Sequence, residues 1–322
     1  MAFHSSALAS ELDLYVEKLT QDFEDELQSE GHLLSGVFET DSQDGDFIKI
    51  DRIGARDSVK IKTSILEPLT YSSDTFEERL CGYETFWDAA ITDPDEIIRM
   101  AKDPTSAKKK NMMRDFGRRI DRFLVNKFTE AVSIRAAGAV TTLSFANDGG
   151  ITIAVNDHAF RTPGSTAGTN DICLTPGKLK KATKTLLANF TSLEDIFVLS
   201  NSNQLMLLKT HEETHNGDFR TGRPLESKGF GGLNGYLGLN YIAIDDPLAL
   251  PADVNTDEPV YVVARSALQV RQPKGLNVII DQDPNIVEKP HRIQVVMRLG
   301  AVRKDGKKIV KILCDATTNI PA

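Results

Sequence analysis

The sequence predicts an α+β protein in which strands and helices are mixed along the chain. Three observations support this: one long amphipathic helix in the first half, polar strands of alternating character before it, and short apolar strands interspersed with two shorter helices after it. Apolar residues spaced three and four apart indicate helix, whereas strict alternation indicates a half-exposed strand. The 322 residues suffice for one large domain or two modest ones with a real core.

The first predicted element is an acidic amphipathic helix from about Ser6 to Gln28. Its other face is rich in Asp and Glu, so the helix faces solvent or a partner. Gly31 and Gly36 then interrupt the pattern. The apolar positions, which share one face, are Leu8, Leu12, Tyr15, Leu19, Phe23 and Leu27.

A polar β-hairpin follows. Residues 47–50 and 59–63 alternate apolar with charged side chains, with turn residues between them, and Phe76 to Leu80 also reads as extended. Such a hairpin has few residues that can enter a core. It is either a solvated surface feature or a segment that needs a neighbour.

The clearest helix begins at Pro104, after Asp103 as N-cap, and is predicted to continue to about residue 136. Some 30 residues make a rod on the order of 45 Å long. The basic run on its outer face is compatible with DNA contact, but the net charge of −8 favours a salt-bridged face. The basic positions are Lys108, Lys109, Lys110, Arg114, Arg118, Arg119 and Arg122.

The second half of the chain predicts a mixed α/β region. Its helices begin at Thr175-Pro176 and at Asn201, and a Gly-rich loop runs from Asn216 to Gly235. The predicted strands are 151–155, 196–199, 239–244, 260–264, 276–280, 293–303 and 308–314, the last two joined by a turn at Lys304–Lys307.

Composition excludes several classes of protein. A chain that is 40% hydrophobic and 26% charged is not disordered, and 38 basic against 46 acidic residues argue against a dedicated DNA-binding protein. No apolar run approaches the roughly 18 residues of a membrane span, and no secretory signal is visible, so we expect a cytoplasmic protein. Cys81, Cys173 and Cys314 are far apart, which favours buried free thiols over a disulfide framework.

One motif suggests a zinc site. His211-Glu212-Glu213-Thr214-His215 fits H-E-x-x-H, which on a helix places two imidazoles on one face with a glutamate as general base. No third histidine follows, Asn216-Gly217 ends the helix at once, and nothing around the motif suggests a cleft. We therefore expect a polar helix end, with His211 and His215 as the only metal-ligand candidates.

The order of elements resembles the Hong Kong 97 fold of tailed-phage major capsid proteins. Local sequence supports the likeness: Asp103-Pro104-Thr105-Ser106-Ala107 with Gly117-Arg118-Arg119-Ile120-Asp121 resembles the start of the spine helix. Residues 63–79 resemble the return of the extended loop, 238–242 an axial-domain strand, and 300–315 the closing hairpin. The resemblance spans nearly the whole chain.

This resemblance implies a division of the chain. The N-terminal arm would be 1–38 and the extended loop 39–85. The peripheral domain would comprise 86–193 and 289–322, with the spine helix at about 104–136. The axial domain would be 194–288.

The resemblance also implies a function. The chain would be a major capsid protein without catalytic residues or cofactors, assembling as hexamers and pentamers into an icosahedral shell around double-stranded DNA, which it would enclose without sequence specificity. A portal, a separate scaffolding protein and a decoration protein are the expected partners, with no membrane, and assembly is expected in the host cytoplasm. The expected inter-subunit contacts are Leu8, Leu12, Tyr15, Leu19, Lys60, Lys62, Tyr71, Phe76 and Arg79.

Two alternatives to this function stay open. An encapsulin-like compartment would use the same fold around a cargo enzyme. A zinc metalloprotease acting through the histidine pair belongs to a different class altogether.

Overall fold

The computed structural model describes residues 32–34, 36–41, 47–53, 76–92, 104–136, 138–157, 172–189, 191–210, 226–227, 233–234, 236–251, 257–282 and 291–315. The helices are α1 (Pro104–Thr129), α2 (Pro176–Ala188) and α3 (Ser202–Thr210). The strands are β1 (Glu39–Asp41), β2 (Phe47–Ile53), β3 (Phe76–Gly82), β4 (Glu84–Thr92), β5 (Val132–Ala136), β6 (Ala139–Leu143), β7 (Ile151–Ile153), β8 (Ile196–Ser200), β9 (Glu226–Ser227), β10 (Leu233–Asn234), β11 (Asn240–Ala243), β12 (Asp257–Ala264), β13 (Leu268–Gln282), β14 (His291–Arg303) and β15 (Ile309–Asp315). None of the helices in this part of the chain combines the length and the apolar character of a membrane span.

The first sheet has the order β1-β13-β14-β4, with β1 parallel to β13 and the other pairs antiparallel. Helix α1 lies against one face, because its apolar stripe alternates with the basic face that the sequence predicts. Phe116, Ile120 and Leu124 from the helix are buried with Val295 and Met297 of β14 in one core.

The second sheet is a four-stranded antiparallel sheet of order β2-β3-β5-β6. Strands β2 and β3 form a hairpin in register from the Phe47–Gly82 pair to the Ile53–Phe76 pair. The residues that join them, 54–75, lie outside the described part. Only a small core of Ile50, Val132 and Val302 supports this sheet, as its polar sequence predicts.

The third sheet has the order β7-β15-β12-β8-β11-β10-β9. Helices α2 and α3 cover it, and Leu179, Leu186 and Leu208 share its core. Although the predicted division places α2 and β15 in the peripheral domain, the structure packs both with this sheet, β15 directly against β12. The division itself stays a prediction.

The start of α2 confirms the sequence analysis. Thr175 has extended backbone angles, its hydroxyl accepts a hydrogen bond from the Lys178 N–H at 3.3 Å, and Pro176 occupies the first turn. These three features are the capping pattern that the sequence indicated.

The predicted C-terminal end of α1 is wrong. The helix ends at Thr129 instead of near residue 136, and residues 132–136 form β5 between β3 and β6. The apolar residues of Val132–Ile134 continue the helical spacing by sequence, but the β-branched side chains of Val132 and Ile134 suit a strand. The tertiary pairing with β3 decides the outcome.

Candidate assembly site

Two segments enter the body of the protein from parts that the structure does not describe, and both attach at the second half of α1. Residues 32–38 follow the predicted arm, and β2 and β3 carry the predicted extended loop. Because an assembly arm or loop acts from its base, these two attachment points are the candidate functional site.

The arm root is fixed by Asp121, which is buried in α1. Its carboxylate accepts hydrogen bonds from the backbone N–H groups of Leu33 at 3.0 Å and Leu34 at 3.1 Å. The Nδ1 atom of His32 lies 3.3 Å from the same carboxylate. Beyond this clamp Leu34 is buried, and the ring of Phe38 packs edge-on against Phe128 at 5.7 Å.

The hairpin root is fixed by Arg79 of β3, whose side chain is fully buried. Its guanidinium grips Asp148 with two hydrogen bonds, Nη2 to Oδ1 at 2.6 Å and Nη1 to Oδ2 at 2.9 Å. Such a two-pronged arginine–carboxylate pair fixes orientation as well as distance. Asp148 lies in the turn between β6 and β7, so this pair fastens the hairpin to a part of the chain 69 residues away.

Arg303, at the end of β14, completes the group. Its Nε donates to Asp148 Oδ2 at 2.8 Å, and its backbone carbonyl accepts a bond from Arg79 Nη1 at 2.9 Å. Its Nη1 donates to the carbonyls of Phe128 and Glu130, each at 2.8 Å. These carbonyls lie at the end of α1, so Arg303 supplies donors that the terminated helix lacks. We call these three side chains the Arg79–Asp148–Arg303 cluster.

The charges in this cluster stabilise one another. Burial alone would raise the pKa of the Asp148 carboxyl, but hydrogen bonds from Arg79 and Arg303 outweigh burial and hold that pKa below its usual value. Burial alone would lower the pKa of Arg79, and the bond to Asp148 raises it instead. The carboxylate therefore stays ionised at neutral pH although its side chain is almost fully buried.

Two glycines make room for the cluster. A Cβ at Gly306 would lie 2.7 Å from the Asp148 carbonyl oxygen and 2.9 Å from its Cγ, so the closing turn reaches Asp148 only with a glycine there. Gly149 has a φ of +82°, a backbone conformation that disfavours other residues.

Of the predicted contact residues, the structure describes Phe76 and Arg79. Phe76, at the outer end of β3, is 65% exposed and is available to a neighbour. Arg79 is fully buried, so it has no surface to offer a second chain while the hairpin holds this position; its observed contacts are internal. The predicted contacts that lie outside the described residues are Leu8, Leu12, Tyr15, Leu19, Lys60, Lys62 and Tyr71.

The candidate metal ligands His211 and His215 also lie outside the described residues. Within the described residues, no group of three or more His, Cys, Asp or Glu side chains is arranged to hold a metal ion. The three cysteines are free thiols. Burial raises the pKa of Cys314 to about 12 and also raises that of Cys81, so neither is a ready nucleophile at neutral pH.

Sequence reasoning missed Asp121, Asp148 and Arg303. Asp121 gave a usable signal, because it falls near the apolar stripe of α1 and not among the basic residues. Asp148 sits in a Gly-rich turn where Asp is common, and Arg303 follows an ordinary strand pattern. Their meeting depends on sequence separations of 69 and 155 residues, which no local pattern records.

A groove runs between β4 and α1, with a volume of about 440 Å³. Strand β4 is an edge of the first sheet among the described strands. The residues that line the groove are Thr85, Phe86, Trp87, Asp88, Asp115, Phe116, Arg118, Arg119 and Arg122.

Comparison with known proteins gives a consistent result. A family model described as phage capsid protein matches residues 13–316. The capsid of the cyanophage P-SCSP1u is similar at 12% identity over 88% of each chain, with a TM-score of 0.62. The capsid of Ralstonia phage GP4 is similar at 12% identity over 89% of each chain, with a TM-score of 0.61.

The mature capsid of bacteriophage PhiM1 is also similar, at 12% identity over 89% of this chain and 87% of that one, with a TM-score of 0.58. No curated protein matches the sequence. At these identities the likeness concerns the fold, and it confirms the predicted Hong Kong 97-type α+β fold.

Proposed function

The chain belongs to the phage capsid protein family, and we propose that it forms an icosahedral shell from its own hexamers and pentamers, clasped together by its two extensions. As a capsid protein it assembles with copies of itself in the wall of the virion. The family and the fold are those of structural proteins, and we infer that the chain performs no catalysis.

The observation that supports clasping is the rigid attachment of both extensions to one helix. An arm or hairpin that grips a neighbour transmits force only if its base cannot turn. Asp121 holds the arm root through two backbone amides, and Arg79 holds the hairpin root through a buried two-pronged pair. A solvated hairpin without a partner would have no use for so stiff a base.

The outer end of the hairpin fits a contact surface. A single exposed Phe is ordinary on a monomer. Phe76, however, stands at the end of β3 next to the loop, where the sheet below it has only a small core of its own. Each such contact is weak, but many symmetric copies act together in a closed shell.

The hairpin contact is tested by Phe76→Asp, with Phe76→Leu as the matched control that keeps an apolar side chain. We expect Phe76→Asp to remain folded by circular dichroism but to give few particles by electron microscopy, while Phe76→Leu assembles like the wild type. Normal yields of closed particles from Phe76→Asp would refute a role for the hairpin end.

The arm is tested by deleting residues 1–28. We expect a folded chain that assembles poorly, because the arm's apolar stripe is lost while the anchored root from His32 onward is kept. Normal particles from this truncation would contradict clasping by the arm.

The remaining partners are proposed on the family alone. They are a portal, a separate scaffolding protein, a decoration protein and packaged double-stranded DNA bound without sequence specificity, with assembly in the host cytoplasm. Nucleic acid in purified particles would support this function, and a protein cargo in its place would support the encapsulin-like alternative. Particles of a His211→Ala/His215→Ala variant should be intact, with zinc at background in both variant and wild type.

A further inference from the structure

We propose that the acidic N-terminal segment of one copy, residues 1–31, docks in the groove between β4 and α1 of a neighbouring copy. This inference rests on the proposed function and names the surface that the arm would bind. It follows from charge, from exposed aromatic surface and from the position of the arm root.

Charge is divided unevenly along the chain. Residues 1–31 contain eight acidic residues and one basic residue, and so carry −7 of the total of −8. Helix α1 contains eight basic residues and two acidic ones, a net charge of +6. The most acidic segment of the sequence thus has a strongly basic counterpart in the same chain.

Several charges of α1 are already used within the chain. Asp121 binds the arm root, Arg122 pairs with Asp246 at 2.6 Å, and Lys127 pairs with Glu84 and Glu130. Arg118 and Arg119 are exposed, and among the described residues no carboxylate lies within ion-pair distance of either. Arg119 lies over the ring of Phe86, 5.9 Å from its centroid, at the wall of the groove.

The groove also offers apolar surface. Trp87, the single tryptophan of the chain, is 68% exposed on β4, and Ile91 on the same side of the strand is 46% exposed. In the neighbouring strand Val296 lies directly opposite Trp87. An amphipathic helix binds such a surface with its apolar stripe, and the predicted arm has that stripe in Leu8, Leu12, Tyr15 and Leu19.

The two acidic residues of the groove favour the arm over DNA. Asp88 and Asp115 also line it and reduce its net positive charge, so part of the binding has to come from the aromatic surface. The arm can use that surface, whereas a phosphate backbone cannot. DNA contact remains an outcome that the experiment below detects.

The position of the root favours a neighbour over the chain's own arm. Asp121, which holds the root, and Arg119, which borders the groove, are two residues apart and so lie about 160° apart around the helix. The arm of the same chain would have to cross the exposed face of α1 to reach the groove. A neighbouring arm meets no such restriction.

Trp87 is its own reporter. Acrylamide quenching of its fluorescence is measured in dissociated wild-type subunits and in DNA-free particles, at low and high salt. We expect strong quenching in subunits, and several-fold weaker quenching with a blue-shifted emission in particles. In particles of an arm variant with Glu24→Gln, Asp25→Asn and Glu26→Gln, quenching should return toward the subunit value.

A second measurement covers variants that do not assemble. A synthetic peptide of residues 1–31 is added to dissociated full-length chain, and binding is followed by Trp87 emission. We expect binding that weakens at high salt and becomes about tenfold weaker or more in Arg118→Glu/Arg119→Glu. Asn126→Glu, on the exposed face of the same helix beyond the groove, is the matched control and should bind like the wild type.

Each other result overturns the inference. Protection of Trp87 in dissociated subunits would mean that the chain's own arm fills the groove. Protection in particles regardless of the arm charges would mean that another segment covers it, and protection only in DNA-filled particles would assign the groove to DNA. Closed particles with a quenchable Trp87, or no peptide binding, refute the inference alone, whereas failure of the wild type to form any particles refutes the proposed function.

Discussion

Replacing Asp148 with alanine removes the carboxylate that Arg79 and Arg303 share and leaves two buried guanidinium groups without it. Three hydrogen bonds are lost, of 2.6, 2.8 and 2.9 Å. Breaking a buried ion pair by removing one partner costs about 3–5 kcal/mol. Three bonds to charged groups at about 1.5 kcal/mol each lead to a similar figure. We therefore expect the free energy of unfolding to fall by about 4 kcal/mol, a large share of the stability of a typical domain.

The assay is denaturant unfolding of dissociated subunits followed by circular dichroism, with hydrogen exchange of the β3 amides as a local readout. Asp157→Ala is the matched control, because Asp157 pairs with Lys181 at the surface, where the two side chains are 33% and 42% exposed. Its loss should cost less than about 1 kcal/mol. If Asp148→Ala and Asp157→Ala lose equal stability, and β3 exchanges no faster in the former, the cluster does not anchor the hairpin.

Three further predictions follow from described contacts. The stability difference between wild type and Asp148→Ala should be constant from pH 7 to about 5 and shrink below the usual carboxyl pKa of 3.8, because a lowered pKa in the folded state adds stability only above that value; unfolding at graded pH measures this, and a difference that grows in acid would contradict it. Asp121→Ala should speed exchange of the Leu33 and Leu34 amides at least about tenfold, a loss of about 1.4 kcal/mol of local protection, while Asp115→Ala leaves them unchanged. The buried Lys178 ammonium donates to the carbonyls of Ile172, Cys173 and Leu313 at 2.9–3.1 Å, so Lys178→Met should cost about 3 kcal/mol in denaturant unfolding and the exposed Lys184→Met less than about 0.5; equal costs would exclude this role.

The sequence predicted what is decided locally. The start of α2 follows from Thr175 and Pro176, because a hydroxyl and a fixed φ act on their own turn. The hairpin strands follow from alternation, and the long helix follows from its apolar stripe. The family resemblance then supplied the order of the parts, which the comparisons confirm.

The sequence failed where distant residues decide. The end of α1 is set by Arg303, which binds carbonyls more than 170 residues earlier, so helical spacing carried the prediction too far. Strand β4 was missed because Trp87 and Ile91 are apolar yet exposed, which hides the alternation that marks a half-buried strand. An isolated strand has no reason to expose such residues, and their position beside the groove explains why this one does.

The way β3 is tied down determines how the hairpin would respond to being pulled. A tug on the tip runs lengthwise along β3, so the rungs that join it to β2 and β5, together with both prongs of Arg79, are strained side by side and not one after another. Links arranged like this yield together, in shear, and resist far more than a zipper opened from one end. The hairpin is built as a tether.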